Sequence, residues 1–317
     1  MSRRPRIAAL GGGTGLASLL RGLKRAPVDI TAIVTVADDG GSSGRLRREL
    51  GVLPPGDIRN CLVALADDES LMGTLFQHRF EDGDLAGHAF GNIFLAALSE
   101  VTGSFDLAIQ ESSRVLNIRG RVLPSTLAQI RLWAERADGE AVCGETSITG
   151  GRGPCRRVWL EPEPRAHPPA LEAIAEADLV LLGPGSLFTS VLPHLAVPEL
   201  AEAVAGAPGR RAYVCNVMTQ PGETDGFDAA DHVERVLEAA PGGIDLVVVH
   251  DGPLDPDVAA AYAKQGQEPV TADAERLRAL GVGVVTGDIA EAHSVVRHSP
   301  EALAQVLVRM VEDAARR

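Results

Sequence analysis

The residue types and spacings most suited to chemistry lie in glycine-rich segments that follow short apolar runs. Gly11-Gly12-Gly13-Thr14-Gly15 comes directly after Arg6 to Leu10 and before a helical pattern carrying Leu16, Leu19, Leu20 and Leu23 on one face. Glycines there let backbone N–H groups approach an anion, and the amino end of the following helix adds a favourable field. The GxGxxG match is imperfect because Leu16 occupies the third glycine position, and no Gly-Lys-Ser/Thr makes a Walker loop. A tight structural turn is the alternative reading.

A second apolar run, Asp29 to Val36, ends in Ala37-Asp38-Asp39-Gly40-Gly41-Ser42-Ser43-Gly44-Arg45. Paired carboxylates suit ribose hydroxyls or a hydrated Mg²⁺, and Asp38 and Asp39 are the candidate metal ligands. Gly40, Ser42, Ser43 and Gly44 offer N–H and hydroxyl groups, and Arg45 offers a forked donor for phosphate. An Asp-Gly turn followed by a helix cap would use the same residues. Further on, Pro54-Pro55-Gly56-Asp57-Ile58-Arg59-Asn60 sets Asp57, Arg59 and Asn60 on a first helical turn, where capping competes with ligand binding. Asn92 opens an apolar helix after His88, a histidine whose ordinary role is structural. Gly183-Pro184-Gly185-Ser186-Leu187-Phe188-Thr189-Ser190 is another strand-to-helix phosphate loop, and Asn216 to Thr224, including Thr219, adds a polar cluster at a further strand end.

These loops need a scaffold that gathers strand ends. Short apolar strands alternating with helical patterns imply crossover units and a doubly wound, mostly parallel α/β sheet, with neighbouring loops opening on one crevice at the strand carboxyl ends. Residues 118–167 differ. Asp138-Gly139 between Arg131–Ala134 and Glu140–Cys143 signals a hairpin, and Arg156 to Leu160 is a third strand, so this stretch reads as an antiparallel excursion within a single α/β nucleotide-binding domain spanning 1–317. Pro300 to Ala315 reads as an amphipathic helix capped by Ser299.

Composition narrows the function. Thirty Lys and Arg against 43 Asp and Glu give a net charge of −13, which argues against non-specific nucleic-acid binding. Hydrophobic residues make up 45% and aromatics only 3%, so the core is aliphatic. No apolar run approaches the length of a membrane helix. The four cysteines show neither CxxC nor zinc-ligand spacing and read as reduced core residues of a cytoplasmic protein. No HExxH pair occurs, and no catalytic set is assigned.

Five of these motifs, in this order (Gly11–Leu16, Asp38–Arg45, Pro54–Asp57, Gly183–Ser190 and Asn216–Thr224), resemble the YvcK-type gluconeogenesis factors of the wider CofD-like superfamily. The resemblance runs from about residue 6 to past 300 and implies a Rossmann-like fold in a cytoplasmic bacterial protein. It implies binding of UDP-sugars, notably UDP-N-acetylglucosamine, in support of cell shape and cell-wall precursor supply on gluconeogenic carbon sources, with no cofactor required. It also points to Tyr262, whose ring could stack on uracil, and to Arg297, whose guanidinium could pair with a pyrophosphate. A regulatory role implies a protein partner, and a homo-oligomer is expected. Two enzymatic readings stay open. One is a CofD-like transferase moving 2-phospho-L-lactate from a nucleotide-activated donor, with Mg²⁺ on the paired aspartates. The other is an NAD-dependent oxidoreductase suggested by the first strand-loop-helix. The Gly-Gly-Ser-Ser-Gly-Arg run after the aspartates and the Gly-Pro-Gly-Ser-Leu-Phe-Thr-Ser loop favour the regulatory branch over the transferase branch.

Overall fold

The structure is a computed structural model and describes residues 3–67, 71–292 and 296–315. Strand β1 (Arg6–Gly11) pairs in parallel with β2 (Asp29–Val34), and β2 pairs in parallel with β3 (Arg121–Pro124). A separate antiparallel sheet follows, made of β4 (Arg131–Arg136), β5 (Ala141–Cys143) and β6 (Cys155–Glu161) in the order β5-β4-β6. The chain then returns to the other side of β1 with β7 (Leu179–Leu182) and steps outward through β8 (Arg210–Val214), β9 (Leu246–His250) and β10 (Gly283–Gly287). The seven-stranded order is β3-β2-β1-β7-β8-β9-β10, all parallel, as a Rossmann-like doubly wound sheet requires. A small ribbon of β11 (Ala290–Ala292) and β12 (Val296–His298) closes the strand list.

Strand composition explains the layering. Leu179-Val180-Leu181-Leu182 is buried along its whole length, the pattern of a strand covered on both faces. The first helix, α1 (Gly13–Leu23), turns Leu16, Leu19, Leu20 and Leu23 inward, each fully buried. Burying each such side chain contributes about 1.5–3 kcal/mol. Two further helices, α2 (Gly41–Leu50) and α3 (Gly56–Leu65), rise from the loops that follow β2. The carboxyl-terminal helix Pro300–Ala315 forms as expected, with the Ala302 N–H meeting the Ser299 hydroxyl at 3.5 Å.

One boundary is corrected. The excursion expected over 118–167 runs in the structure from Arg131 to Glu161, and Arg121–Pro124 within the expected range is the edge strand of the main sheet. Val122, Leu123 and Pro124 are buried against β2, so hydrophobic burial draws this segment into the parallel sheet before the chain leaves it. The second strand also stops two residues early, at Val34, although Thr35 still donates to the Gly11 carbonyl at 3.1 Å.

Candidate functional site

The order of strands reverses at β1, between β2 on one side and β7 on the other, and the loops after β1 and β7 meet there. Their approach depends on missing side chains: a Cβ on Gly15 would sit 2.7 Å from the Pro184 carbonyl oxygen. Beyond this seam Ser186 caps a single turn of π-helix, Leu187–Val191, by accepting from the Thr189 N–H at 3.2 Å. Such turns recur at functional sites because they redirect a few side chains out of a regular helix.

A crevice of about 370 Å³ opens over this seam, within the size range of ligand pockets. Gly12, Gly13, Thr14 and Gly15 line one wall, and Gly185, Ser186 and Ser190 line the next. Asn216 and Thr219 enter from the loop after β8, and Tyr262 and Arg297 reach it from late in the chain. The Tyr262 hydroxyl accepts from the Val296 N–H at 2.6 Å, which pins the ribbon bearing Arg297 beside the crevice. Asn216 donates its amide to Gln220 at 3.0 Å, while its Oδ1 is buried with no partner among the described residues. A buried acceptor left unpaired costs free energy that a ligand donor would recover. The Thr219 hydroxyl is already engaged, accepting from the Glu268 N–H at 2.8 Å.

The segment after β2 occupies a neighbouring layer. None of residues 38–45 lines the crevice. Asp38 Oδ1 accepts from the Gly40 N–H at 2.8 Å, and Asp39 Oδ1 accepts from both groups of Thr146. The Ser42 hydroxyl sits between His88 Nδ1 at 2.9 Å and the Asn92 amide at 3.1 Å. The Ser43 hydroxyl accepts from the Gly56 N–H at 3.1 Å, and Arg45 donates to the Ala86 carbonyl at 2.7 Å. The Gly44 N–H donates to the Gly40 carbonyl at 2.9 Å, as the first turn of α2. Arg59 donates to Asn60 Oδ1 at 2.6 Å, whereas Arg59 Nε and Asn92 Oδ1 are buried without a partner among the described residues. Gly11 and Gly183 stand behind the seam, where the Gly183 N–H donates to the Leu10 carbonyl at 2.8 Å and the Gly11 carbonyl accepts from the Thr35 N–H at 3.1 Å. Asp57 bridges the two layers, since its carboxylate receives the Gly13 N–H.

Two acidic residues that sequence reasoning did not single out dominate the electrostatics. Glu145 lines the crevice from the antiparallel sub-region. Burial, then the nearby carboxylates of Asp38, Asp57 and Asp39, push its carboxyl up to about 8. Glu223 is buried against Ser186, whose hydroxyl donates to it, and burial raises its carboxyl to about 7 despite that bond and the Phe188 N–H. Asp57 is pushed up to about 6, chiefly by burial and further by Asp38. Glu223 lay inside a quoted motif, but nothing local marked its depth. Arg136, buried and donating to the carbonyls of Gly222 at 2.8 Å and Ile148 at 2.9 Å, ties the segments bearing both acids together.

Among the described residues no three His, Cys, Asp or Glu side chains group as a metal site. Asp39 is committed to Thr146, which leaves Asp38 and Asp57 as neighbouring carboxylates. Mg²⁺ in nucleotide sites commonly takes one or two carboxylates and completes its shell with water and ligand phosphates, so these residues fit it only together with a bound diphosphate.

No helix among the described residues is long and apolar enough to cross a membrane. The four cysteines are unpaired. The family described as 2-phospho-L-lactate transferase CofD matches residues 7–290. The gluconeogenesis factor of Bacillus subtilis (strain 168) is 49% identical over 317 residues, covering 99% of this chain and 100% of that protein. The gluconeogenesis factor of Halalkalibacterium halodurans is 49% identical, covering 96% of each chain. A crystal structure of a Bacillus halodurans protein superposes with a TM-score of 0.93 at 48% identity, over 96% of this chain and 99% of that one. With this fold, these ordered glycine loops and relatives matched from end to end, the chain belongs to the YvcK-type gluconeogenesis factor family of CofD-like proteins.

Proposed function

We propose that the crevice binds a nucleotide-sugar of the UDP type, UDP-N-acetylglucosamine foremost, and that binding regulates a protein partner. The observation that carries this reading is the convergence of the two glycine loops, Tyr262 and Arg297 on one crevice at the strand-order reversal. The diphosphate would lie against the N–H groups of residues 12–15, with Arg297 as counter-charge. The Tyr262 ring offers a face for the base, and Asn216 Oδ1 an acceptor for a ligand donor. Mg²⁺, where it takes part, would be held by Asp38 with Asp57 and would offset the charge of a bound diphosphate.

Ligand binding acts on a partner only if two conformations of the protein hold the ligand with different affinity. The ribbon bearing Arg297 and the helix Pro256–Ala263, which carries Tyr262, are the elements that ligand contact would draw together. By family likeness the regulated process is cell-wall precursor supply and cell shape during growth on gluconeogenic carbon sources, in the cytoplasm, with the protein acting as a homo-oligomer.

The match across residues 7–290 to a family described as a transferase supports a second reading. There the same loops would hold a nucleotide-activated 2-phospho-L-lactate: an acceptor hydroxyl attacks the lactate-bearing phosphorus and loses its proton, the P–O–P bridge breaks, and the nucleoside monophosphate leaves. Calorimetric titration with UDP-N-acetylglucosamine, NAD and guanine nucleotides separates the readings. Tight UDP-sugar binding without turnover supports regulation. Transfer from a guanine-nucleotide-activated phospholactate to a deazaflavin acceptor replaces it with the enzyme, and NAD binding alone overturns both.

A further inference from the structure

A large cavity lies at the opposite pole of the sheet, where β1, β2 and β3 begin. It has a volume of about 880 Å³ and is lined by Arg4, Arg6, Lys24, Arg25, Arg119 and Arg121, against Asp29 and Glu176 as the only acids in its lining among the described residues. Six cations facing two anions is a local inversion of a chain whose net charge is −13.

Ordinary structural duties account for half of these cations. Lys24 follows the carboxyl end of α1 and donates to the Ala66 carbonyl at 2.8 Å, as a cation at a helix carboxyl terminus should. Arg25 pairs with Glu301 at 3.1 Å, and Arg6 pairs with Glu176 at 2.8 Å, which also occupies one of the two acids. Arg4, Arg119 and Arg121 differ. They come from the lead-ins and first residues of strands rather than from helix ends, and their side chains have no hydrogen bond or ion pair among the described residues.

The backbone holds these arginines at two ends of a fixed span. Arg4 precedes β1, while Arg119 and Arg121 flank Gly120 at the start of β3, with β2 between them. Gly120 has φ +111°, and a Cβ there would lie 2.7 Å from the Ile30 carbonyl, so the lead-in to β3 is pressed onto β2 and carries both guanidiniums to the cavity wall. Two strand spacings separate β1 from β3, roughly 10 Å. Low-dielectric walls concentrate the field of like charges in a concave site and favour a multiply charged anion over chloride.

We propose that this cavity is a second ligand site that binds a small organic anion carrying phosphate groups at two ends, one held by Arg4 and the other by Arg119 and Arg121. It does not depend on the nucleotide-sugar reading, because no lining residue is shared with the crevice. Planar guanidinium forks match phosphate oxygens bidentately, and the concave shape and size suit a small molecule rather than an extended surface.

The test is calorimetry on the full chain at about 0.1 M salt, with inorganic phosphate, pyrophosphate and 1,6-hexanediol bisphosphate as probes. Each probe is titrated with and without saturating UDP-N-acetylglucosamine. The proposal expects the long bisphosphate to bind tightest and to bind equally well in both backgrounds. Arg4→Gln, Arg119→Gln and Arg121→Gln, all at exposed positions, should each weaken it by roughly tenfold, and the Arg119→Gln/Arg121→Gln pair should abolish it. UDP-sugar affinity should stay unchanged in these variants. Bisphosphate binding that competes with the UDP-sugar and ignores the arginine variants overturns the proposal, because the anion then sits in the glycine crevice. Binding of an acidic polypeptide such as polyglutamate, with no binding of any small probe, overturns it in favour of a macromolecular surface. If UDP-N-acetylglucosamine itself fails to bind, the nucleotide-sugar reading falls while the arginine variants still decide this one.

Discussion

Asp39 Oδ1 accepts from both the backbone N–H of Thr146, at 3.0 Å, and its hydroxyl, at 2.9 Å, across 107 residues of chain. This single carboxylate joins the loop after β2 to the short helix Glu145–Thr149 and so sets where Glu145 enters the crevice.

Asp39 is therefore expected to act by positioning and Asp38 by metal. Asp39→Asn should weaken UDP-N-acetylglucosamine binding by the same factor with Mg²⁺ and with EDTA, consistent with the loss of hydrogen bonding worth about 1 kcal/mol. Asp38→Asn should cost more in Mg²⁺ than in EDTA. Calorimetry in the two buffers checks both, and an Mg²⁺-dependent loss in the Asp39 variant would return that residue to the metal.

Gly15→Ala should separate the two glycine loops. The added Cβ meets the Pro184 carbonyl at 2.7 Å, and a backbone oxygen cannot swing aside as a side chain can. Overpacking of this kind costs about 1–3 kcal/mol of stability. Nucleotide-sugar affinity should fall at least roughly tenfold, since each 1.4 kcal/mol lost at the seam is a factor of ten. Full affinity at unchanged melting temperature would show that the seam does not shape the crevice.

Glu145→Gln should stabilise the protein in a pH-dependent way. The unfolded carboxyl ionises near 4.5 and the folded one near 8, so between these values the unfolded state releases a proton that the folded state retains. The native protein carries no penalty from Glu145 below pH 4.5, and the penalty grows until pH 8. The Gln variant should thus match the parent near pH 4 and melt higher at pH 8, by about 1–2 kcal/mol after allowing for partial solvent screening. Thermal melts across this range decide it, and parallel curves would count against a neutral buried carboxyl.

His194 works in the opposite direction. It is fully buried beneath the first glycine loop, its Nε2 lies 3.0 Å from the Gly11 carbonyl, and burial lowers its titration to about 4. Its contribution to stability is complete above pH 6.5 and is lost as pH falls from 6.5 toward 4, where the unfolded imidazole takes a proton that the folded one refuses. His194→Gln should flatten that acid limb of the denaturant midpoint against pH. An unchanged limb would assign acid sensitivity elsewhere.

Much of the scaffold was legible from local pattern. The apolar runs of β1, β2 and β7, the glycines after them and the leucine stripe of α1 each follow from burial and backbone freedom acting over a few residues. The order of these motifs along the chain was likewise enough to place it in its family. What local pattern could not show is which loop ends share a space. Ser42, Ser43 and Arg45 have the chemistry of a phosphate cradle, yet their hydroxyls and guanidinium are spent on Asn92, Gly56 and Ala86 in the next layer. Glu145 and Glu223, by contrast, look like ordinary surface acids in the sequence. Their depth arises from Arg136 holding Gly222 and Ile148, and from Asp39 holding Thr146. Short-range propensity determined the strands, helices and turns. Desolvation and ion proximity decided the charge state of the crevice, because both depend on neighbours that only the folded chain brings together.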